Sequence, residues 1–189
     1  MKQLFTTLAL IGIAWTPALA EQRSYAEDRA AIEDLMARYL FAMDWNDFDA
    51  YADTFTEDGE LEFSRASAKG REDIRQAARE FKQLIGKVYK DADGDPAILR
   101  HVIAQKVIRI EGDRAWSTSL WYEMANTGPE GSPEIGTFGI YQDELARVEG
   151  EWLFKRRKIL NEFLEGRHSG LVNPVRTLDA AAASAKKTE

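Results

Sequence analysis

The sequence contains no cysteine and only two histidines, His101 and His168. Disulfides, thiolate nucleophiles and cysteine metal centres are therefore excluded, and two histidines so far apart are a poor basis for a catalytic metal. No apolar run is long enough to span a bilayer; the run from Leu4 to Trp15 falls well short. A nucleophilic serine motif and a phosphate-cradling glycine loop are missing too. Basic residues are in the minority, 25 against 32 acidic ones, for a net charge of −7. That balance argues against nucleic acid as a partner. Any chemistry must come from carboxylates, hydroxyls, amines and a histidine.

At the N-terminus, Lys2, the apolar run and Ala18-Leu19-Ala20 ahead of Glu21 read as a secretory signal peptide over residues 1–20. An exported, periplasmic protein is the expectation. The mature chain, about 169 residues, suffices for one domain with a substantial core. It is read as a domain over 21–162 and a C-terminal extension over 163–189. Within that extension Phe163, Leu164, Leu171, Val172 and Val175 are too apolar for a free linker, so Phe163 to Thr177 is expected to be partly ordered and able to close a pocket's mouth. Ala180 to Glu189 reads as disordered.

Along the domain, Ile32, Leu35, Met36, Tyr39, Leu40 and Met43 recur at helical spacing from Ala26 to Met43. Phe48, Tyr51, Ala52 and Phe55 give a short second helix, and Thr56-Glu57-Asp58-Gly59 reads as a turn. Leu61 and Phe63 alternate with charged neighbours in a short strand. A third helix follows Gly70, with Ile74, Ala77, Ala78, Phe81, Leu84 and Ile85 as its stripe. The acids from Asp91 to Asp95 look like a calcium loop, but Pro96 stands where the loop needs glycine and the final acid is missing; a solvated turn is the better reading, and no metal is assigned. Four strands then run over roughly Arg100 to Glu111, Ala115 to Met124, Gly136 to Arg147 and Glu151 to Asn161. Helices first and an antiparallel meander afterwards predict an α+β domain, its helices packed on one face of a curved sheet.

Several phrases carry a more specific resemblance. Ala37-Arg38-Tyr39, Asp44, Asp47 and Phe55-Thr56-Glu57-Asp58-Gly59 are similar to the opening of SnoaL-like proteins, a branch of the nuclear transport factor 2-like superfamily. Arg100-His101 entering a strand, Ile110 to Ala115, and Tyr141 to Leu145 with Trp152 and Arg157 resemble that family's later hairpins. The resemblance implies a cone in which a strongly curved sheet and the helices enclose one pocket. It also implies a homo-oligomer, trimer or dimer, packed through the outer face of the sheet.

In lyases of this branch a histidine–aspartate pair removes a proton from an apolar substrate without a cofactor. By resemblance His101 and Asp44 take those positions, Tyr39 stands where a leaving-group or carbonyl helper stands, and Arg157 matches an arginine of the final strand. The departure from scytalone dehydratases is that no second strand histidine is present. Plainer uses exist for each: a core histidine, a helix-ending aspartate, a stripe tyrosine, one charge in a basic strand. Alternation, however, puts Arg157 on the face of Leu153 and Ile159, among apolar neighbours, where an arginine must be paired or face a polar ligand. Tyr51, Phe63, Trp121, Tyr122, Phe138 and Tyr141 lie in elements that should wall the cone, which suits a small hydrophobic or aromatic substrate. The resemblance thus implies a lyase expelling water or formaldehyde, the latter from a lignin-derived diarylpropane. A ketosteroid-type isomerase and a non-catalytic binding module remain open alternatives.

Overall fold

A computed structural model describes residues 23–63, 66–166 and 168–185. The predicted signal peptide lies outside that range. The first helix, α1 (Tyr25–Asp44), opens on a capping box in which Ser24 accepts from the Glu27 amide and Glu27 accepts from the Ser24 amide. Its stripe from Ile32 to Met43 is buried. After α2 (Phe48–Asp53), capped by Asp47, come β1 (Phe55–Phe63), β2 (Ala66–Lys69) and α3 (Arg71–Val88). The strands β3 (Leu99–Glu111), β4 (Arg114–Ala125), β5 (Glu134–Val148) and β6 (Glu151–Asn161) come next, then α4 (Pro174–Ala185).

Six strands form one sheet in the order β2-β1-β6-β5-β4-β3; every pair is antiparallel except β1 with β6. Apolar side chains of the inner face, among them Leu61, Ile108, Trp121, Tyr141, Leu145 and Phe154, meet the stripes of α1 to α3 in one core. This is the expected α+β cone. Asp91 folds the acidic segment by accepting from the amides of Asp93 and Asp95, a local turn.

Three expectations need correction. Thr56 to Gly59 belongs to β1 rather than to a turn. A Cβ on Gly59 would come within 2.9 Å of Phe55 Cβ, 3.0 Å of the Thr56 carbonyl and 3.2 Å of the Phe154 carbonyl, so glycine is required there by the local path of β1 as well as by the parallel approach of β6. Leu84, placed on the buried stripe of α3, is exposed. Ala180 to Ala185 is helical: α4 lays Leu178 and Ala182 on Trp116 and Val107, with Arg109 donating to Asp179 at 2.9 Å. Alanine is the strongest helix former, and its small side chain allows close approach to the tryptophan. Because Trp116 alternates with the inward Ala115 and Ser117, α4 sits on the outer face of the sheet.

Candidate functional site

Asp44 ends α1, a place where the helix dipole disfavours a carboxylate, and no basic residue lies in that last turn. The compensating donors come from β3. The His101 amide donates to Asp44 Oδ2 at 2.8 Å, and His101 Nδ1 lies 2.6 Å from Oδ1. Arg100 stacks over Trp45 at 3.8 Å and donates to the Asp44 carbonyl at 3.4 Å. The helix end and the strand start are thus locked together through one carboxylate.

The other ring nitrogen of His101 faces a second carboxylate. Nε2 lies 3.4 Å from Glu123 Oε2, directly across the β3–β4 ladder. The opposite oxygen of Glu123 accepts from Tyr89 Oη at 2.9 Å and from Thr137 Oγ1 at 2.7 Å. Gly136 makes room for this: a Cβ there would stand 3.0 Å from Glu123 Oε1 and 3.4 Å from the Tyr89 ring. Both side chains flanking the imidazole are nearly inaccessible, as is the imidazole itself. Burial disfavours the charged ring, but the hydrogen bonds and charges of Asp44 and Glu123 outweigh it and raise the His101 pKa to about 9. Burial likewise works against the Glu123 carboxylate, yet donation from His101, Thr137 and Tyr89 holds its pKa below the ordinary value. At neutral pH the resting state is an imidazolium between two carboxylates.

The remaining expected residues divide. Tyr39 is interior and accepts from Tyr51 at 2.6 Å; burial pushes both phenols up. Its path to His101 runs through two further rings, Tyr141 (6.1 Å) and Trp121, which stack at 5.5 Å; Trp121 lies 6.2 Å from the imidazole. Arg157 is inside as expected, and its partner there is Asp143, at 2.7 and 2.9 Å. Leu153 does not share its face: an extra residue at Lys155 shifts the β5–β6 register, so Phe154 and Arg157 both point inward. Phe63 packs on the core. Tyr122 and Phe138 are cross-strand partners on the outer face, and Phe138 is 44% exposed, so neither walls the interior.

A groove of about 300 Å³ between α1 and β3 reaches the site, lined by Met36, Leu40, Asp44, Trp45, His101 and Ile103. A larger depression of about 500 Å³, lined by Glu60, Glu62, Lys158 and His168, lies at the opposite edge of the sheet and shares no residue with the clamp. Among the described residues no group of three histidine or carboxylate side chains is disposed to hold a metal ion. Among the described residues, three interior polar atoms, Ser119 Oγ, Trp121 Nε1 and Arg157 Nη1, have no hydrogen-bond partner. Buried orphans of this kind suit polar groups of a bound molecule.

Comparison with known proteins agrees with this fold. The model of the SnoaL-like domain matches residues 24–158. A protein of unknown function from Mycobacterium tuberculosis is similar in structure, with 25% identity, a TM-score of 0.62, and coverage of 84% of this chain and 91% of that one. A protein from Catenulispora acidiphila, solved in complex with S-DNPA, has 25% identity and a TM-score of 0.61 over 72% and 95%. One from Novosphingobium aromaticivorans, put forward as a scytalone dehydratase, has 23% identity and a TM-score of 0.58 over 79% and 94%. No curated protein matches the sequence.

Proposed function

We propose, from the premise that this chain belongs to the SnoaL-like family, that it is a cofactor-independent lyase acting on a small aromatic molecule. The observation that carries this reading is the asymmetric clamp on His101: 2.6 Å at Nδ1 and 3.4 Å at Nε2. Asp44 fixes the tautomer that keeps the proton on Nδ1, leaving Nε2 as the nitrogen that exchanges a proton. In its neutral form Nε2 takes a proton from the substrate. Where the proton comes from carbon, the C–H pair forms the new C=C bond and the adjacent hydroxyl leaves as water, taking its proton from the imidazolium. Where it comes from a hydroxymethyl oxygen, the O–H pair forms the C=O bond of formaldehyde, and the pair of the broken C–C bond forms the C=C bond as the hydroxyl on the next carbon leaves, again as water with the imidazolium's proton. Glu123 stabilises the imidazolium so formed. Its own lowered pKa makes it a poor base, which favours the histidine over a carboxylate-driven isomerase.

The test is a screen of the purified protein against phenolic diarylpropanes and β-hydroxy aromatics, following release of water or formaldehyde. For a substrate found in this way, His101→Gln should cut kcat by about 10²–10⁴. A folded His101→Gln protein that turns over within a few-fold of the parent would exclude the mechanism.

A further inference from the structure

Five side chains that line the groove between α1 and β3 can carry charge: Glu33, Asp44, Arg100, His101 and Lys106. Four of them are matched. Asp44 holds His101, and Glu33 lies 3.0 Å from Arg29 and 3.9 Å from Lys106. Arg100 is the exception, half-buried and with no ion pair among the described residues. Its Nη1 donates to the Leu99 carbonyl at 2.6 Å and to the Asp44 carbonyl at 3.4 Å, where a cation suits the C-terminal end of α1. The edge formed by Nε and Nη2 donates to no described residue. That same edge is the one by which Arg157 grips Asp143, at 2.7 and 2.9 Å, the side-on geometry of bidentate carboxylate recognition. Beside Arg100 the groove has an aromatic wall. The guanidinium stacks 3.8 Å from the centre of the Trp45 ring, which fixes its plane, and the Phe41 ring lies 5.6 Å from that of Trp45. Both rings are more than half exposed, at 58% and 63%. Large aromatics left open beside a concave site mark a surface that a ligand covers.

We propose that the Nε–Nη2 edge of Arg100 and the Trp45–Phe41 wall form a subsite for an arylcarboxylate, its acid on the guanidinium and its ring along the wall. The substrate of the lyase is then an aromatic acid rather than a neutral arene. That last step rests on the elimination reading; the binding site itself does not. Arg100 and His101 are consecutive residues, yet both line the groove, because β3 is the outermost strand of the sheet and its beginning faces α1. A carboxylate held by Arg100 therefore sits one residue along the strand from the base. It would anchor a ligand at a fixed distance from Nε2, the positioning that an elimination without a cofactor depends on. The groove's volume, about 300 Å³, gives room for one ring and its acid.

Binding without turnover tests the subsite separately from the elimination. The two histidines report which cavity is filled, since His101 lines this groove and His168 the depression at the opposite edge. The full chain is titrated with 4-methoxybenzoate, with its uncharged methyl ester and with acetate, followed by calorimetry and by the imidazole proton resonances. The aromatic acid should bind at least about tenfold tighter than the ester, the scale of hydrogen bonding to a charged group, and should displace the His101 resonances. Acetate, which has no ring for the wall, should bind more weakly than the aromatic acid. Arg100→Gln should lose about tenfold or more of the acid's affinity and leave that of the ester unchanged. Arg100→Lys, which keeps the charge but not the fork, should retain only part of it. Should Arg100→Gln not fold, the acid–ester comparison in the parent and the Arg100→Lys protein decide the matter. Equal affinity for acid and ester, no binding of the acid, displacement of His168 alone, or full acid affinity in a folded Arg100→Gln protein would overturn the subsite. Acid affinity retained in a His101→Gln protein that also retains turnover would leave the subsite standing and remove the elimination reading.

Discussion

Two buried charge clusters share the inner face of the sheet, and they are built to opposite ends. Asp143 and Arg157 are fully enclosed, joined by two short hydrogen bonds, with Ser117 donating to Asp143 at 2.7 Å and the rings of Tyr39, Tyr141 and Phe154 packed within 4.3 Å of the guanidinium. An arginine there does not titrate in any accessible range, so the pair has one charge state. The Asp44–His101–Glu123 cluster is held as firmly at one end but more loosely at the other, and its central cation can lose its proton. The first cluster fixes the geometry of the cone; the second can change charge within it.

The sharpest way to break this contrast is to remove one partner of the sealed pair. Asp143→Ala should destabilise the domain by about 3–5 kcal/mol, because the guanidinium is left buried and uncompensated. Denaturant unfolding measures this. The joint replacement Asp143→Leu with Arg157→Met should recover most of the loss, since the desolvation cost of both charges disappears together. If Asp143→Ala alone were neutral, the claim that this pair is structural would fail.

The contrast also explains what the sequence could and could not reveal. Periodicity exposes α1, α3 and β3 to β6 because each buries a regular stripe, and Arg157 is legibly inward. Its partner is not, because the register depends on the extra residue at Lys155, which breaks the alternation. Glu123 is hidden for the same reason. The register that sets Lys106 opposite Ser119 would, if continued, place His101 opposite Met124; the bulge between Ile103 and Lys106 moves it to Glu123. Gly59 looks like a turn residue because the crowding that demands it, from Phe55, the Thr56 carbonyl and the Phe154 carbonyl, arises only where β1 bulges beside β6. Residues 180–185 look like a tail because their few apolar contacts are all with distant strands.

A smaller effect is expected where α4 covers the outer face. Leu178 is buried against Trp116 at the margin of the domain, so Leu178→Ala should cost about 2 kcal/mol, the low end for a buried leucine. Urea unfolding would show it, with the ionisation of His101 unchanged. A shift in that ionisation would mean that the two faces of the sheet are coupled.

The smallest change in free energy bears most directly on function. Glu123 is one of two carboxylates that raise the His101 pKa to about 9, and Glu123→Gln keeps its shape and its capacity to accept from Thr137 while removing the charge. The His101 pKa should then fall by about one unit, equivalent to about 1.4 kcal/mol. Proton NMR can track this without substrate, because His101 and His168 are the only histidines and His168 is exposed. Stability should respond with a definite sign. A folded pKa raised above the ordinary 6.5 means that the clamp's contribution is fully present below about pH 6.5 and is lost as pH rises through about 9. In Glu123→Gln that alkaline loss should be smaller and complete at lower pH. If neutral His101 is the base, the pH–rate profile should rise through the same ionisation, and its midpoint should move down with the NMR value. A purely packing role for Glu123 would alter the melting temperature but leave both midpoints at about 9, and that result would remove Glu123 from the site.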